Sequence, residues 1–100
     1  VRSVPVPADR RGDILLLGLA VHAHGFDLTW EQPAGGPLAP PRLVEVTDDG
    51  GTRYVVDGGG ASGGGDDREI HSAEVVPAVP AQASLLRLRF TPDVAFEVAL

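Results

Sequence analysis

An all-β fold of two packed sheets is what this sequence predicts, and three observations carry the prediction. Apolar residues recur at every second position in one segment after another, the period of a strand with one face buried. No segment shows a 3.6-residue apolar stripe, so no amphipathic helix competes for the same residues. The 100 residues include 13 Gly and 9 Pro, which favours short elements joined by turns over a few long helices.

The elements follow in chain order. Val1 to Val6 reads as an edge strand, limited by Pro5. The run from Ile14 to Val21 is the most apolar in the chain. Its alternation places Leu15, Leu17, Leu19, Val21 and Ala23 on one face, and Ile14, Leu16, Gly18, Ala20 and His22 on the other. Both faces are largely apolar, as expected of a central strand. His24-Gly25 reads as a tight hairpin, after which Phe26, Leu28 and Trp30 point inward and Asp27, Thr29 and Glu31 outward. Gln32 to Pro41 holds four prolines and two glycines and reads as a connection.

Val44 and Val46 begin another alternating strand. Asp48-Asp49-Gly50-Gly51 is a hairpin signal, with Tyr54 and Val56 on the expected return strand. Asp57 to Asp67, DGGGASGGGDD, reads as a loose, solvated loop between two strands. Glu69 to Val76 is a strand and Pro77 to Ala83 a corner. Leu86, Leu88 and Phe90 then alternate with Arg87 and Arg89. After a turn at Thr91-Pro92-Asp93, Val94, Phe96 and Val98 alternate with Ala95, Glu97 and Ala99.

The count is about seven to eight antiparallel strands in one domain spanning residues 1–100, with turn signals near the 8–12-residue spacing of sandwiches. The expected core is Leu17, Leu19, Val21, Phe26, Leu28, Trp30, Val44, Val46, Tyr54, Val56, Leu86, Leu88, Phe90, Val94, Phe96 and Val98. A chain of this length buries roughly 65% of its unfolded surface, enough for a single core. Trp30 falls on the third strand, where immunoglobulin-like sandwiches often bury a tryptophan, although the cysteine pair of antibody domains is absent.

The order of motifs resembles an immunoglobulin-like β-sandwich domain of high-GC bacterial proteins. The pieces are Gly25-Phe26-Asp27-Leu28, then Asp48-Asp49-Gly50-Gly51-Thr52-Arg53-Tyr54, the glycine-rich stretch, and Leu86-Arg87-Leu88-Arg89-Phe90, over about residues 12 to 100. All are turn and core motifs. The resemblance therefore implies a fold and brings no active site with it.

Composition narrows the function. The net charge of −6 disfavours a nucleic-acid partner, which needs clustered cations, and equally an anionic membrane surface. Ile14 to Val21 is far short of the roughly 20 apolar residues that span a bilayer, so no membrane insertion is expected. There is no Cys, which excludes disulfides, thiolate nucleophiles and cysteine zinc sites. All eight cations are Arg, with no Lys or Asn in the chain, a bias typical of high-GC bacterial genomes. The chain begins with Val1 rather than Met, as expected of an excised or processed segment, so localisation is not readable.

The glycine stretch matches three patterns. Gly58, Gly60 and Gly63 satisfy the dinucleotide fingerprint G-x-G-x-x-G, but Gly64-Gly65-Asp66-Asp67 cannot start the helix that must hold the pyrophosphate. Gly60, Ser62 and Gly64 satisfy the nucleophile elbow G-x-S-x-G, which requires a strained strand-to-helix turn rather than a flexible run. Asp57, Asp66 and Asp67 offer oxygen ligands for calcium without the spacing of an EF-hand. His22 and His24 form H-x-H, which can share a zinc ion on one strand face, with His71 as a third ligand if its strand lies alongside. The turn at His24 works against that face.

No catalytic, cofactor-binding or metal residue is assigned on these grounds, and no cofactor is expected. Leu43, Val55 and Leu85 occupy outward positions and form an apolar patch if they cluster. Arg87 and Arg89 share an outward face and can pair with acids on the strand of Glu97. The expectation is a non-catalytic structural or protein-interaction module whose partner is protein, either itself or a neighbouring domain, within a longer chain or small assembly. The alternatives are a Zn or Ca site on the same sandwich, and a carbohydrate- or ligand-binding sandwich using Trp30 or Tyr54.

Overall fold

The computed structural model describes residues 1–34, 41–63 and 67–100. Eight strands form: β1 (Arg2–Val4), β2 (Leu15–His22), β3 (Gly25–Pro33), β4 (Leu43–Asp48), β5 (Val55–Gly63), β6 (Arg68–Val76), β7 (Leu85–Phe90) and β8 (Val94–Ala99). They make a five-stranded sheet in the order β1-β2-β3-β6-β5 and a three-stranded sheet in the order β4-β7-β8. Every pairing is antiparallel. No helix occurs among the described residues. The chain is all-β, as its periodicity predicts.

One core joins the two sheets. Phe26, Leu28, Trp30, Ala73 and Val75 come from the larger sheet; Val46, Leu86, Leu88, Phe90, Phe96 and Val98 come from the smaller. Trp30 meets Phe90 edge-to-face at 5.2 Å between ring centroids, and Phe90 meets Phe96 at 5.9 Å. These T-shaped contacts set the positive ring edge of one partner against the negative face of the other. On the outer face of the smaller sheet, Arg87 pairs with Glu97 at 3.1 Å, and Arg89 reaches Glu45 on β4 at 3.3 Å.

Three residues expected in the core are exposed instead: Leu17 (44%), Val44 (44%) and Val56 (45%). Leu17 and Val44 are themselves the extra residues at β-bulges, whereas Val56 is paired just ahead of one and follows the crossing of the chain between sheets after Tyr54. The register shifts between Leu16 and Gly18, between Leu43 and Glu45, and between Val56 and Gly58. A bulge adds one residue to one strand, so the alternation beyond it reverses face. In β2 the buried set is therefore Leu16 before the bulge and Leu19 after it, with Ile14 buried ahead of the strand. Leu16→Ala is expected to lose about 2–5 kcal/mol of stability. Leu17→Ala should stay within about 0.5 kcal/mol of the parent. Urea denaturation of the pair measures this, and equal losses would mean the bulge is elsewhere.

The Asp48–Gly51 turn forms as expected, but the strand after it does not pair back. Gly51 N–H bonds the Asp48 carbonyl at 3.2 Å, with Gly51 at φ +85°. The return lasts for one bridge, Thr47 to Arg53, and one bond from Tyr54 N–H to the Val46 carbonyl at 3.1 Å. Tyr54 then turns into the core, where its ring meets Phe26 at 5.7 Å. The chain crosses to the larger sheet as β5, and β4 takes β7 as its partner. The physical reason is the pull of the buried Tyr54, which directs the backbone across the sandwich rather than along it.

The expected Gln32–Pro41 connection lies mostly at residues 35–40, outside the described residues. At its start, Gln32 and Pro33 still belong to β3 and pair with Glu69 and Arg68.

Candidate functional site

Over residues 57–63 the glycine-rich stretch is strand, not a loose loop; residues 64–66 lie outside the described residues. Gly58 pairs with Glu74, Gly59 with Ala73, Gly60 with Ser72, Ala61 with His71, Ser62 with Ile70 and Gly63 with Glu69. The cause is the neighbouring strand. β6 supplies the backbone partners, and Ser72 lies so close that a side chain at Gly59 is excluded: a Cβ there would sit 2.3 Å from the Ser72 carbonyl oxygen. At Gly60 a Cβ would meet nothing within 4 Å. Gly59→Ala is therefore expected to destabilise the domain. Gly60→Ala should be neutral or stabilise it by about 0.5–1 kcal/mol by restricting the unfolded chain. Thermal melts of the two variants separate a required glycine from a tolerated one.

This placement answers the glycine patterns. β6 begins at Arg68, where the dinucleotide fingerprint needs a helix; residues 64–66 lie outside the described residues. Ser62 pairs with Ile70, while His71 pairs with Ala61. Successive residues of a strand face opposite ways, so Ser62 and His71 lie on opposite faces of the sheet.

The histidines do not converge. His22 Nδ1 accepts the backbone N–H of His24 at 3.2 Å, and His22 Nε2 lies 3.4 Å from Asp27 Oδ1. The two rings are 6.4 Å apart at 64°. His71 is opposite Trp30, whereas His22 is opposite Gly25; five residues of β3 separate them, about 17 Å at strand rise. No group of three His, Asp or Glu able to hold a metal ion occurs among the described residues.

His71 instead stacks on Trp30, with ring centroids 5.7 Å apart and planes within 16°. Trp30 Nε1 donates to Gln32 Oε1 at 2.8 Å, and both residues are buried. His71 Nε2 lies 3.8 Å from Glu69 Oε1, too far for a hydrogen bond, and has no hydrogen-bond partner among the described residues. Trp30, Gln32 and His71, with Arg42, Gly58 and Gly59, line a cavity of about 300 Å³ at this end of the sandwich. Nothing in the sequence signals this grouping, because it depends on the β3–β6 register.

Asp48 is occupied by its own turn and Asp49 by Ser84, ahead of β7. Asp48 Oδ1 accepts the N–H groups of Gly50 and Thr52, each at 2.9 Å, and Oδ2 accepts the Tyr54 hydroxyl at 2.9 Å. Burial raises the Asp48 carboxyl, but the Thr52, Tyr54 and Gly50 donors outweigh it and hold the group below its usual value. Burial, and then the bond to Asp48, push the Tyr54 phenol well above its usual range. Asp49 accepts the Ser84 hydroxyl and, at 3.1 Å, the Ser84 N–H. Those bonds hold its carboxyl low.

Of the expected patch of Leu43, Val55 and Leu85, the first two come together and Leu85 does not. Leu43 pairs near the Phe90 end of β7, and Leu85 is at the opposite end. Other residues complete the cluster. Val44, Val55 and Val56, with Leu43 and Tyr54, line a cleft of about 320 Å³ between β4 and β5. Val55 is 65% exposed. Along β5 and β6, Asp57 and Glu74 lie toward this end and Asp67 and Glu69 toward the other; none of the four pairs with an arginine among the described residues. Glu31 differs: Arg68 at 2.9 Å and Arg10 at 3.3 Å hold its carboxyl low. Among known proteins, no family model, curated protein or solved structure matches this chain.

Proposed function

We propose that the chain is a non-catalytic protein-interaction module built on an immunoglobulin-like sandwich. The observation that carries the functional part is the exposed Val44–Val55–Val56 cleft. Folding alone does not require three large apolar side chains in water at one place, and such clusters mark surfaces that another protein covers.

The sheet order supports the fold type. With β1 set aside, β2-β3-β6-β5 and β4-β7-β8 follow the A-B-E-D and C-F-G arrangement of constant-type immunoglobulin sandwiches. In that correspondence Trp30 belongs to the second strand of the arrangement rather than the third. It still fills the inter-sheet position against Phe90. The carbohydrate reading needs an exposed aromatic platform, and Trp30 (5%) and Tyr54 (8%) are both buried.

A photo-reactive amino acid placed at Val56 tests the reading in the source cells, with position 87 on the far sheet as control. Protein adducts from position 56 and none from position 87 are expected. Equal adducts from both positions, or none from 56, would refute the module.

A further inference from the structure

We infer that the β5 edge is a docking strand for an extended, cationic peptide segment of another protein, which adds to the five-stranded sheet beside Gly58–Gly63. This inference rests on the interaction-module reading and names its partner class.

Among the described residues there are four strand edges, and three of them are guarded. β1 has three residues and is followed by Pro5. At the β8 edge, Arg11 Nη1 donates to the Ala95 carbonyl at 2.9 Å, and its guanidinium lies over the Phe96 ring. β4 is bulged and bridges Arg53. Short length, proline, bulges and covering side chains are the devices that stop edges from pairing. β5 runs for nine residues, eight of them exposed, and past its bulge at Val56/Gly58 it contains neither proline nor cation. An edge strand of an antiparallel sheet turns half of its backbone N–H and C=O groups away from its partner. Glycine at 58, 59, 60 and 63 leaves those groups uncovered by side chains. This is the surface that strand addition uses.

Charge selects the occupant. Asp57 on β5 and Glu74 beside it on β6 have no arginine partner among the described residues. The Glu74 carboxylate lies over Gly58, 3.7 Å from where a Cβ would be. A second copy of this chain, with net charge −6, would bring these carboxylates against their own equivalents. An incoming strand with Arg or Lys at alternate positions sets that row on the outer face, where Glu74 lies, and turns its apolar side chains inward to the Val55–Val56 cleft at the start of β5.

The test is an NMR titration of the ¹⁵N-labelled chain with synthetic ten-residue peptides. One alternates Val and Arg, and one alternates Val and Glu. Two further Val/Arg peptides are N-methylated at every Val or at every Arg. The Val/Arg peptide should shift the amides of Gly58 to Gly63, slow their hydrogen exchange at least tenfold, and bind at least tenfold more tightly than Val/Glu at low salt. One N-methylated peptide should lose binding and the other keep it, because a strand pairs through one edge only. Retention by both would show attraction without backbone pairing and overturn the inference. So would equal binding of Val/Glu, shifts confined to the β7–β8 face, or dimerisation through β5 without peptide uptake. Position-56 adducts with silent β5 amides would refute the docking strand while leaving the module standing.

Discussion

Phe90→Ala is expected to remove about 3–5 kcal/mol of stability, the range for emptying a buried aromatic site. Phe90 is 0% exposed and joins three parts of the core: Trp30 across the sandwich, Phe96 on the neighbouring strand, and its own strand β7. Trp30 is held in place by its indole N–H bond to Gln32. A domain of this size has about 5–15 kcal/mol in total, so the melting temperature should fall by roughly 12 °C or more. Phe90→Leu, which keeps most of the volume, should lose less than half as much. A calorimetric scan of both variants decides it, and equal losses would remove the ring stack from the account of stability.

Gly25→Ala is the second large effect. A Cβ at this position would lie 1.9 Å from the carbonyl oxygen of Val75 and 2.9 Å from its carbonyl carbon. Neither atom can swing aside, because Val75 is fully buried and its backbone pairs with Phe26. The β3–β6 pairing must open at this end. A loss of about 3 kcal/mol is expected, at the upper end of overpacking costs. Gly18→Ala on the neighbouring strand is the control, with nothing within 4 Å of its added Cβ. Guanidinium denaturation should separate the two clearly. Similar midpoints would mean that Gly25 serves only the turn.

The fold was legible where alternation ran uninterrupted. Phe26, Leu28 and Trp30 on β3, Leu86, Leu88 and Phe90 on β7, and Phe96 and Val98 on β8 are buried as their period of two predicts. The errors at Leu17 and Val44 share one cause, while Val56 follows from the crossing of the chain to the larger sheet. A bulge is a backbone event shared between two strands, and the sequence of one strand does not contain it. The Asp48–Gly51 turn was legible, because Asp side chains and glycine make turns locally. The partner of β4 was not, because Tyr54 goes into a core assembled by residues far along the chain.

The candidate site was the least legible part. DGGGASG has the composition of a linker, and local propensity alone makes it a loop. Its strand exists because β6 presents a matching backbone edge, and Gly59 fits there only because it lacks a side chain. Alternation, turn chemistry and charge are local properties, and so the sequence by itself determined the all-β class, most of the core and the acidic surface. Pairing depends on contacts between distant segments. Only the tertiary structure decided that β5 is an edge, that three valines meet between β4 and β5, and that His71 stacks on Trp30 instead of joining His22 and His24.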